Sequence, residues 1–340
     1  MAPRSLPSPV MQNFIGSGLY QYRQWAEKHE PELGMTVEEL PLDIDGGRGD
    51  RGHLLWIGSK GTQKVILYFP GGAYTFQVTE MMFKFWNYAR IEWQRQGLEV
   101  AIAVLSYPVG PGPNAAFPIQ LFQATQALRY LLSIGYNASD IQLAGDSAGG
   151  NLLTQLLSHM VHPFPIPSLV SPLNLPPGTR LRGALMISPW VGFTDPDRWG
   201  SSFQTKSYDV TVYQGLRGAG ERYINDMHKI NTFNQSGGLT SSQLVPYVEA
   251  VLAPDDWYSD LHNAAVDRML VTAGKEERLH DQIKVFFERK IEPYHLDATL
   301  LVQDGGVHDD IIMDFAIADK PLGNKLTPVV LEWIAEGFRS

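Results

Sequence analysis

The chain lacks cysteine altogether, and this absence excludes three kinds of site. With no cysteine among its 340 residues, the sequence offers no disulfide framework, no thiol nucleophile and no thiolate ligand for a metal. It also lacks an excess of basic residues, since 27 Lys and Arg face 36 Asp and Glu, for a formal net charge of −9. A nucleic-acid partner is therefore not expected, because phosphate binding requires clustered positive charge.

Long apolar runs are absent as well. No segment reaches the roughly 18 consecutive apolar residues of a membrane span. The N-terminal stretch MAPRSLPSPVMQNFIGSGLYQYRQW lacks the continuous apolar core of a signal peptide. We therefore expect a cytoplasmic protein without a membrane span, acting as a monomer or homodimer, and no cofactor or metal is predicted.

What the chain does contain is an alternation of short apolar strands and helical patterns. Near-continuous apolar strands indicate burial on both faces, as in a parallel sheet covered by helices, and the alternation predicts βαβ units. The first two strands alternate in polarity and are expected at an antiparallel edge. The predicted strands are 35–44, 52–58, 64–69, 99–107, 141–145, 183–188, 268–274 and 298–304, and the predicted helices are 79–96, 118–134, 148–160, 279–291 and 322–338.

One long excursion interrupts this alternation. Residues 192–262, which are rich in Gly, Ser, Asn, Tyr and Trp, separate the last two strands from the rest. A structureless loop of that length is uncommon inside a compact domain, so the excursion is predicted to be a mostly helical lid. The first 30 residues lack strand signals, and residues 1–34 are expected to join the lid, which makes residues 1–340 a single domain with a lid over its site.

The segment LAGDSAGGNL, residues 143–152, raises the question of whether Ser147 is a nucleophile or only the cap of a helix. A Gly-x-Ser-x-Gly pattern between a buried strand and a helix is typical of a nucleophile on a turn too tight for side chains at the flanking positions. Here Gly145 and Gly149 occupy those positions. This context favours the nucleophile over the cap.

An oxyanion hole is predicted from two places in the sequence. Gly71 and Gly72 follow a strand, and two glycines allow backbone N–H groups to approach a substrate oxygen without a Cβ in the way. Ala148 follows the nucleophile at a helix N-terminus, where the free amides and the positive end of the helix dipole favour a developing negative charge. The amides of these three residues are the expected donors.

The base and the acid are expected after Ser147 in the chain. His308 lies on a Gly-Gly loop after the last strand, at the sheet edge where catalytic groups of open α/β sheets gather. Glu277 follows the preceding strand and would orient the imidazole and stabilise its cation. Asp281 is the alternative acid.

Six motifs together resemble a known family. YFPGGAY, SYPVGPGPNAAFPIQL, GDSAGGNL, SPWVGF, TAGKEERLHD and GGVHDD occur in the order and spacing of the hormone-sensitive-lipase-like α/β-hydrolases, with most similarity to the fungal branch of steryl acetyl hydrolases and biosynthetic-cluster esterases. The resemblance covers about residues 60–335 and implies an α/β-hydrolase fold with a mostly parallel, eight-stranded sheet. It also places the family's serine, acid and base on Ser147, Glu277 and His308. One departure is that Pro70 replaces the histidine of the family's usual His-Gly-Gly-Gly, so the oxyanion loop must be braced differently.

The predicted function is a serine carboxylesterase or deacetylase that cleaves an ester of a small hydrophobic molecule, with a role in fungal secondary metabolism. Two alternatives stay open: an acyltransferase or lactone-forming or lactone-opening enzyme on the same triad, and a non-catalytic small-molecule binder. The partner in each case is a small hydrophobic ester or lactone. The residues expected to line its pocket are Tyr74, Phe76, Asp146, Trp190, Phe193 and Tyr208.

Overall fold

The structure, a computed structural model, describes residues 17–29, 37–39, 52–111, 115–233 and 240–340. Within these ranges one sheet forms the centre of the molecule. Its strands, in chain order, are β1 (Val37–Glu39), β2 (His53–Ile57), β3 (Lys64–Phe69), β4 (Val100–Ser106), β5 (Ile141–Asp146), β6 (Gly183–Ile187), β7 (Met269–Gly274) and β8 (Ala298–Gln303). Seven of them have five residues or more, and β1 is a three-residue strand at the edge.

The sheet is mostly parallel, in the order β1-β2-β4-β3-β5-β6-β7-β8. All pairs from β4 to β8 are parallel, whereas β2 is antiparallel to both of its neighbours. The predicted fold class and its antiparallel edge are thereby confirmed. Of the first predicted strand, 35–44, only the part 37–39 lies within the described residues.

Helices cover both faces of this sheet. In chain order they are α1 (Gly18–His29), α2 (Glu80–Arg95), α3 (Ile119–Ser133), α4 (Ser147–Val161), α5 (Ser202–Thr205), α6 (Tyr213–Phe233), α7 (Ser241–Val248), α8 (Leu261–Ala264), α9 (His280–Phe286), α10 (Asp310–Met313) and α11 (Leu326–Arg339). A π-helix, Phe287–Ile291, continues α9. Short 3-10 helices occupy Ala138–Asp140, Pro196–Trp199, Ala250–Leu252 and Asp314–Ala316.

The strand register brings the chemistry to one edge. Strand β4, VAIAVLS, is buried along its whole length, as its nearly continuous apolar sequence predicts for a strand covered on both faces. Phe69 of β3 pairs with Gly145 of β5, and Gly274 of β7 pairs with Gln303 of β8. The loops that carry residues 70–76, Ser147, Glu277 and His308 therefore leave the sheet at the same edge.

Helix α1 packs against α2. Trp25 stacks on Phe83 of α2 with ring centroids 5.4 Å apart, and Tyr22 meets the same ring edge-on. These side chains belong to the apolar core on the α2 and α11 side of the sheet. The physical reason is the pair of aromatic residues on one face of α1, which gains more by burial against α2 than by exposure. That residues 1–34 belong to the lid stays a prediction, and residues 1–16 and 30–34 lie outside the described residues.

The described residues of 192–262, which we call the helical insertion, form helices as predicted. Their apolar side chains, including Tyr223 and Leu244, join the core on the other side of the sheet, against α4. Among the described residues, no helix is both long and apolar enough to cross a membrane.

Candidate active site

Ser147 lies on a strained turn between β5 and α4. Its φ is +48°, in the left-handed region that a residue with a Cβ seldom adopts. The flanking glycines are required by space, because a Cβ on Gly145 would meet the carbonyl oxygen of Gly149 at 2.5 Å. A Cβ on Gly149 would collide with the Phe69 carbonyl oxygen. The backbone thus presents the Ser147 hydroxyl at the sheet edge, as a nucleophile elbow does.

The His308 imidazole meets that hydroxyl directly. Its Nε2 lies 2.8 Å from Ser147 Oγ, a hydrogen-bond distance. Both side chains are buried, with exposed fractions of 4 % for Ser147 and 5 % for His308. The loop after β8 and the turn after β5 therefore bring together a hydroxyl and a base that are 161 residues apart in the chain.

Glu277 stands on the far side of the imidazole. Its Oε2 lies 3.6 Å from His308 Nδ1, just beyond hydrogen-bond length, and the carboxylate is fully buried. Ser188, directly after β6, donates its hydroxyl to the same Oε2 at 2.6 Å. The alternative acid Asp281 points away, because its Oδ2 accepts the Ser202 amide at 2.9 Å. Of the two carboxylates, Glu277 is the one placed to face the base.

A second carboxylate reaches the other nitrogen of the imidazole. Asp309 Oδ2 lies 3.2 Å from His308 Nε2, and the residue adopts a φ of +54°. Burial alone would lower the pKa of His308, but the carboxylates of Asp309 and Glu277 outweigh it and raise the pKa to about 10. Burial in turn raises the pKa of Asp309 well above its usual range, an effect that the His308 imidazole opposes. The two carboxylates therefore favour the protonated form of the imidazole.

The predicted oxyanion donors divide into two groups. Gly71 is not available, since its N–H donates to Asp146 Oδ1 at 2.9 Å. Gly72 has a φ of +125°, and its carbonyl oxygen accepts the amides of Thr75 and Phe76. Within the described ranges, the Gly72 amide donates to no backbone acceptor. Ala148 is in the first turn of α4, where amides have no acceptor within the helix. The amides of Gly72 and Ala148 remain as donors, and that of Gly71 braces the loop instead.

Asp146 performs the bracing that a histidine would otherwise supply. Besides the Gly71 amide, its Oδ1 accepts the hydroxyl of Tyr68 from β3. Burial raises the pKa of Asp146 to about 6, although the Tyr68 hydroxyl and the Gly71 amide both lower it. A second tyrosine, Tyr107, donates its hydroxyl to the Pro70 carbonyl oxygen. The loop that begins with Pro70 is thus held by the Asp146 carboxylate and the Tyr107 phenol, and Tyr68 holds Asp146.

The helical insertion also holds this loop. Arg222 of α6 donates from Nη2 to Thr75 Oγ1 at 2.6 Å and to the Tyr74 carbonyl at 3.2 Å. Next to it, Tyr223 stacks flat on Tyr74, with ring centroids 4.1 Å apart and an angle of 7° between the planes. The insertion and the oxyanion loop therefore pack as one unit.

The predicted pocket residues occupy different environments. Tyr74, Trp190 and Phe193 are buried in the core, and Asp146 is fully buried beneath the loop, whereas Phe76 is half-buried and Tyr208 is 88 % exposed. Aromatic residues next to a catalytic loop can pack against the insertion or line a substrate pocket. Composition does not distinguish these two environments. The assignment of these residues to a substrate pocket stays a prediction.

Sequence reasoning missed three residues that touch the triad. Ser188 ends a predicted strand at the catalytic edge, so its position was a usable signal. Asp309 is adjacent to His308, but nothing in the sequence indicates that its side chain turns back toward the ring. Asp209, whose Oδ1 accepts the His308 backbone amide at 2.9 Å, lies in the insertion without any sequence signal. In the described part of the chain, no group of three or more His, Asp or Glu side chains is arranged to hold a metal ion.

Comparison with known proteins assigns this site to a family. The family model described as steryl acetyl hydrolase matches residues 9–319. Steryl acetyl hydrolase 1 of Saccharomyces cerevisiae is 22% identical over 266 residues, which cover 75% of this chain and 56% of that protein. The putative steryl acetyl hydrolase mug81 of Schizosaccharomyces pombe is 27% identical over 116 residues, covering 34% of this chain and 28% of that protein. The matched regions thus span about half or less of each relative.

Solved structures agree on the fold. An esterase from the bacterial hormone-sensitive lipase family superposes with a TM-score of 0.63 at 21% identity, covering 99% of this chain and 94% of that one. A hormone-sensitive lipase from a metagenome library gives a TM-score of 0.65 at 20% identity, with 99% of this chain and 93% of that chain covered. The chain therefore has the α/β-hydrolase fold of these enzymes.

Proposed function

Because the chain belongs to the steryl acetyl hydrolase family, we propose that it is a serine carboxylic ester hydrolase with Ser147 as nucleophile. The observation that carries the proposal is the 2.8 Å contact between Ser147 Oγ and His308 Nε2 on a turn with a φ of +48°. A serine that merely capped the helix would need neither the strained backbone nor a buried imidazole against its hydroxyl.

The reaction proceeds in two halves on these groups. Ser147 Oγ attacks the ester carbonyl while His308 Nε2 takes its proton, and the charge on the carbonyl oxygen is met by the amides of Gly72 and Ala148. The tetrahedral intermediate then collapses and the bond between the carbonyl carbon and the alcohol oxygen breaks. His308 gives its proton to that oxygen, and the alcohol leaves. Water then attacks the acyl-enzyme with His308 again as base, which releases the acid and restores Ser147. Glu277 stabilises the imidazolium that forms in both halves.

The substrate class follows from the relatives. Two relatives are named steryl acetyl hydrolases, so we propose an acetyl ester of a hydrophobic alcohol as the substrate. The acyl-transfer and lactone alternatives differ only in which hydroxyl attacks the acyl-enzyme. The role in secondary metabolism, the cytoplasmic location and the oligomeric state stay predictions.

The test is covalent labelling. An alkyl fluorophosphonate should add one adduct to the wild-type protein, seen by intact mass, and none to Ser147→Ala. An unlabelled wild-type protein would refute the proposal. With labelling established, release of p-nitrophenol from the acetate should exceed that from the octanoate. Added alcohols that raise the rate by accepting the acyl group would reassign the enzyme to acyl transfer.

A further inference from the structure

One carboxylate of the helical insertion bonds to the backbone of both loops that carry the acid and the base. Asp209 Oδ1 accepts the N–H of His308 at 2.9 Å, and its Oδ2 accepts the N–H of Arg278 at 3.0 Å. Arg278 directly follows Glu277 in the chain. A single buried side chain therefore bridges the loop after β7 and the loop after β8.

The position of Asp209 is itself fixed by the sequence around it. Tyr208, Val210 and Val212 are exposed, so the carboxylate between them is turned inward. Thr211 donates its hydroxyl to Asp209 Oδ2. In return, Arg278 donates from Nε to the Thr211 carbonyl at 3.0 Å and from Nη1 to the Phe203 carbonyl at 2.6 Å. The contacts thus run in both directions. A carboxylate of the insertion accepts amides of the two catalytic loops, and the Arg278 guanidinium of a catalytic loop donates to carbonyl oxygens of the insertion.

We propose that Asp209 is a positioning residue that sets the distance between His308 and Glu277 and so makes the triad depend on the docked insertion. The proposal rests on the proposed function, because it assigns a part in the same reaction. The geometry supports it in two ways. The two backbone amides that it bridges belong to His308 and to the residue after Glu277, whose side chains lie 3.6 Å apart. That gap is already at the limit of a useful contact, so a small shift of either loop separates acid from base.

A merely structural contact would behave like Asp281. That carboxylate also docks the insertion on the same catalytic loop, through the Ser202 amide at 2.9 Å, but it does not touch the loop of His308. Asp281→Asn is therefore the matched control for Asp209→Asn. Each change removes one charge from a buried or half-buried carboxylate at the same junction and keeps the side-chain size.

The experiment compares the rates at which the fluorophosphonate labels Ser147. With each protein measured at its own pH optimum, Asp209→Asn should slow labelling at least about 10-fold and lower kcat by a similar factor with little change in KM, because loss of alignment acts on the reacting groups. Asp281→Asn should stay within about 2-fold of the wild type. Equal losses in both variants, or a wild-type rate in Asp209→Asn, would overturn the proposal.

A second measurement separates this proposal from the proposed function. Histidine-selective ¹⁵N NMR, with the His308 signals identified from His308→Gln, reports the imidazole without any turnover. Asp209→Asn should shift those signals and lower the pKa of His308, since Asp209 is one of the carboxylates that raise it, whereas Asp281→Asn should leave both unchanged. If the fluorophosphonate does not label the wild-type protein, the proposed hydrolase activity is refuted. The NMR comparison still tests the role of Asp209, because it needs no turnover.

If Asp209→Asn does not fold, Thr211→Val provides the test. This variant keeps the Asp209 carboxylate and removes only the Thr211 hydroxyl that bonds to it. Labelling slowed about 3-fold or more supports the proposal. An unchanged rate and unchanged His308 signals overturn it.

Discussion

Replacing Asp309 by Asn should make the enzyme more active at neutral pH, an unusual outcome for a change beside a catalytic base. His308 can accept the Ser147 proton only when its imidazole is neutral. Asp309 Oδ2, 3.2 Å from Nε2, stabilises the cation and holds the pKa near 10. Since a raised pKa keeps the base protonated up to higher pH, removing the charge should move the acid limb of the kcat/KM profile to lower pH.

The size of the shift follows from the contact distance. Two unit charges 3.2 Å apart interact by about 5 kcal/mol at an effective dielectric constant of about 20. Burial raises the pKa of Asp309 as well, so it carries its charge over only part of the titration. A shift of about one to two pH units in the acid limb is therefore expected, at about 1.4 kcal/mol for each unit.

The assay is the pH dependence of kcat/KM for p-nitrophenyl acetate in the two proteins. Asp310→Asn is the control, because this neighbouring carboxylate bonds to Gln303 and Asn324 rather than to His308. An acid limb that stays in place in Asp309→Asn would show that Asp309 is uncharged next to His308, and a move to higher pH would refute the reasoning. A shift of the same size in Asp310→Asn would show that general charge, not the contact, is responsible.

Three further changes test other parts of the site. Glu277→Gln should lower kcat by about two orders of magnitude or more, measured on the same ester, because the imidazolium loses its facing charge. Gly149→Ala should prevent folding, seen as lost soluble yield and circular dichroism, since its Cβ collides with the Phe69 carbonyl. Arg222→Met should lower kcat about 10-fold and reduce Tm, because the oxyanion loop loses its bonds to the insertion.

Each of these changes has a matched control. Asp281→Asn should cost far less than Glu277→Gln, and the reverse order would move the acid to Asp281. Gly218→Ala, with no atom within 4 Å of its added Cβ, should fold normally. Arg217→Met removes an exposed arginine of the same helix that pairs with Glu221, and a kcat loss equal to that of Arg222→Met would show that the loop contact is not the cause.

The sequence was most informative where one local pattern decides the structure. The apolar run 64–69 coincides with β3, and the elbow around Ser147 follows from glycines that the turn requires. The order of strands placed Glu277 and His308 at one edge, because parallel strands end together. These features are set by residues that are close together in the chain, so a local sequence pattern is enough to predict them.

The remaining features depend on which way a side chain or a backbone amide points. Gly71 was predicted to face the substrate oxygen, but its amide turns to Asp146, which is 75 residues away. Asp209 meets His308 across 99 residues, and neither residue lies in a pattern that the other shares. Trp190 and Phe193 read equally well as pocket or core, since an aromatic ring gains by burial in either place.

The position of β8 at the end of the sheet has a consequence for heat inactivation. The base is carried by the loop that follows this strand, which pairs with β7 alone and leaves several side chains partly exposed. The nucleophile follows β5, a fully buried strand at the centre. Edge strands open locally at a lower free energy than central ones. On warming, His308 should separate from Ser147 while the sheet around β5 is still paired, so catalysis fails before the protein melts and returns on cooling.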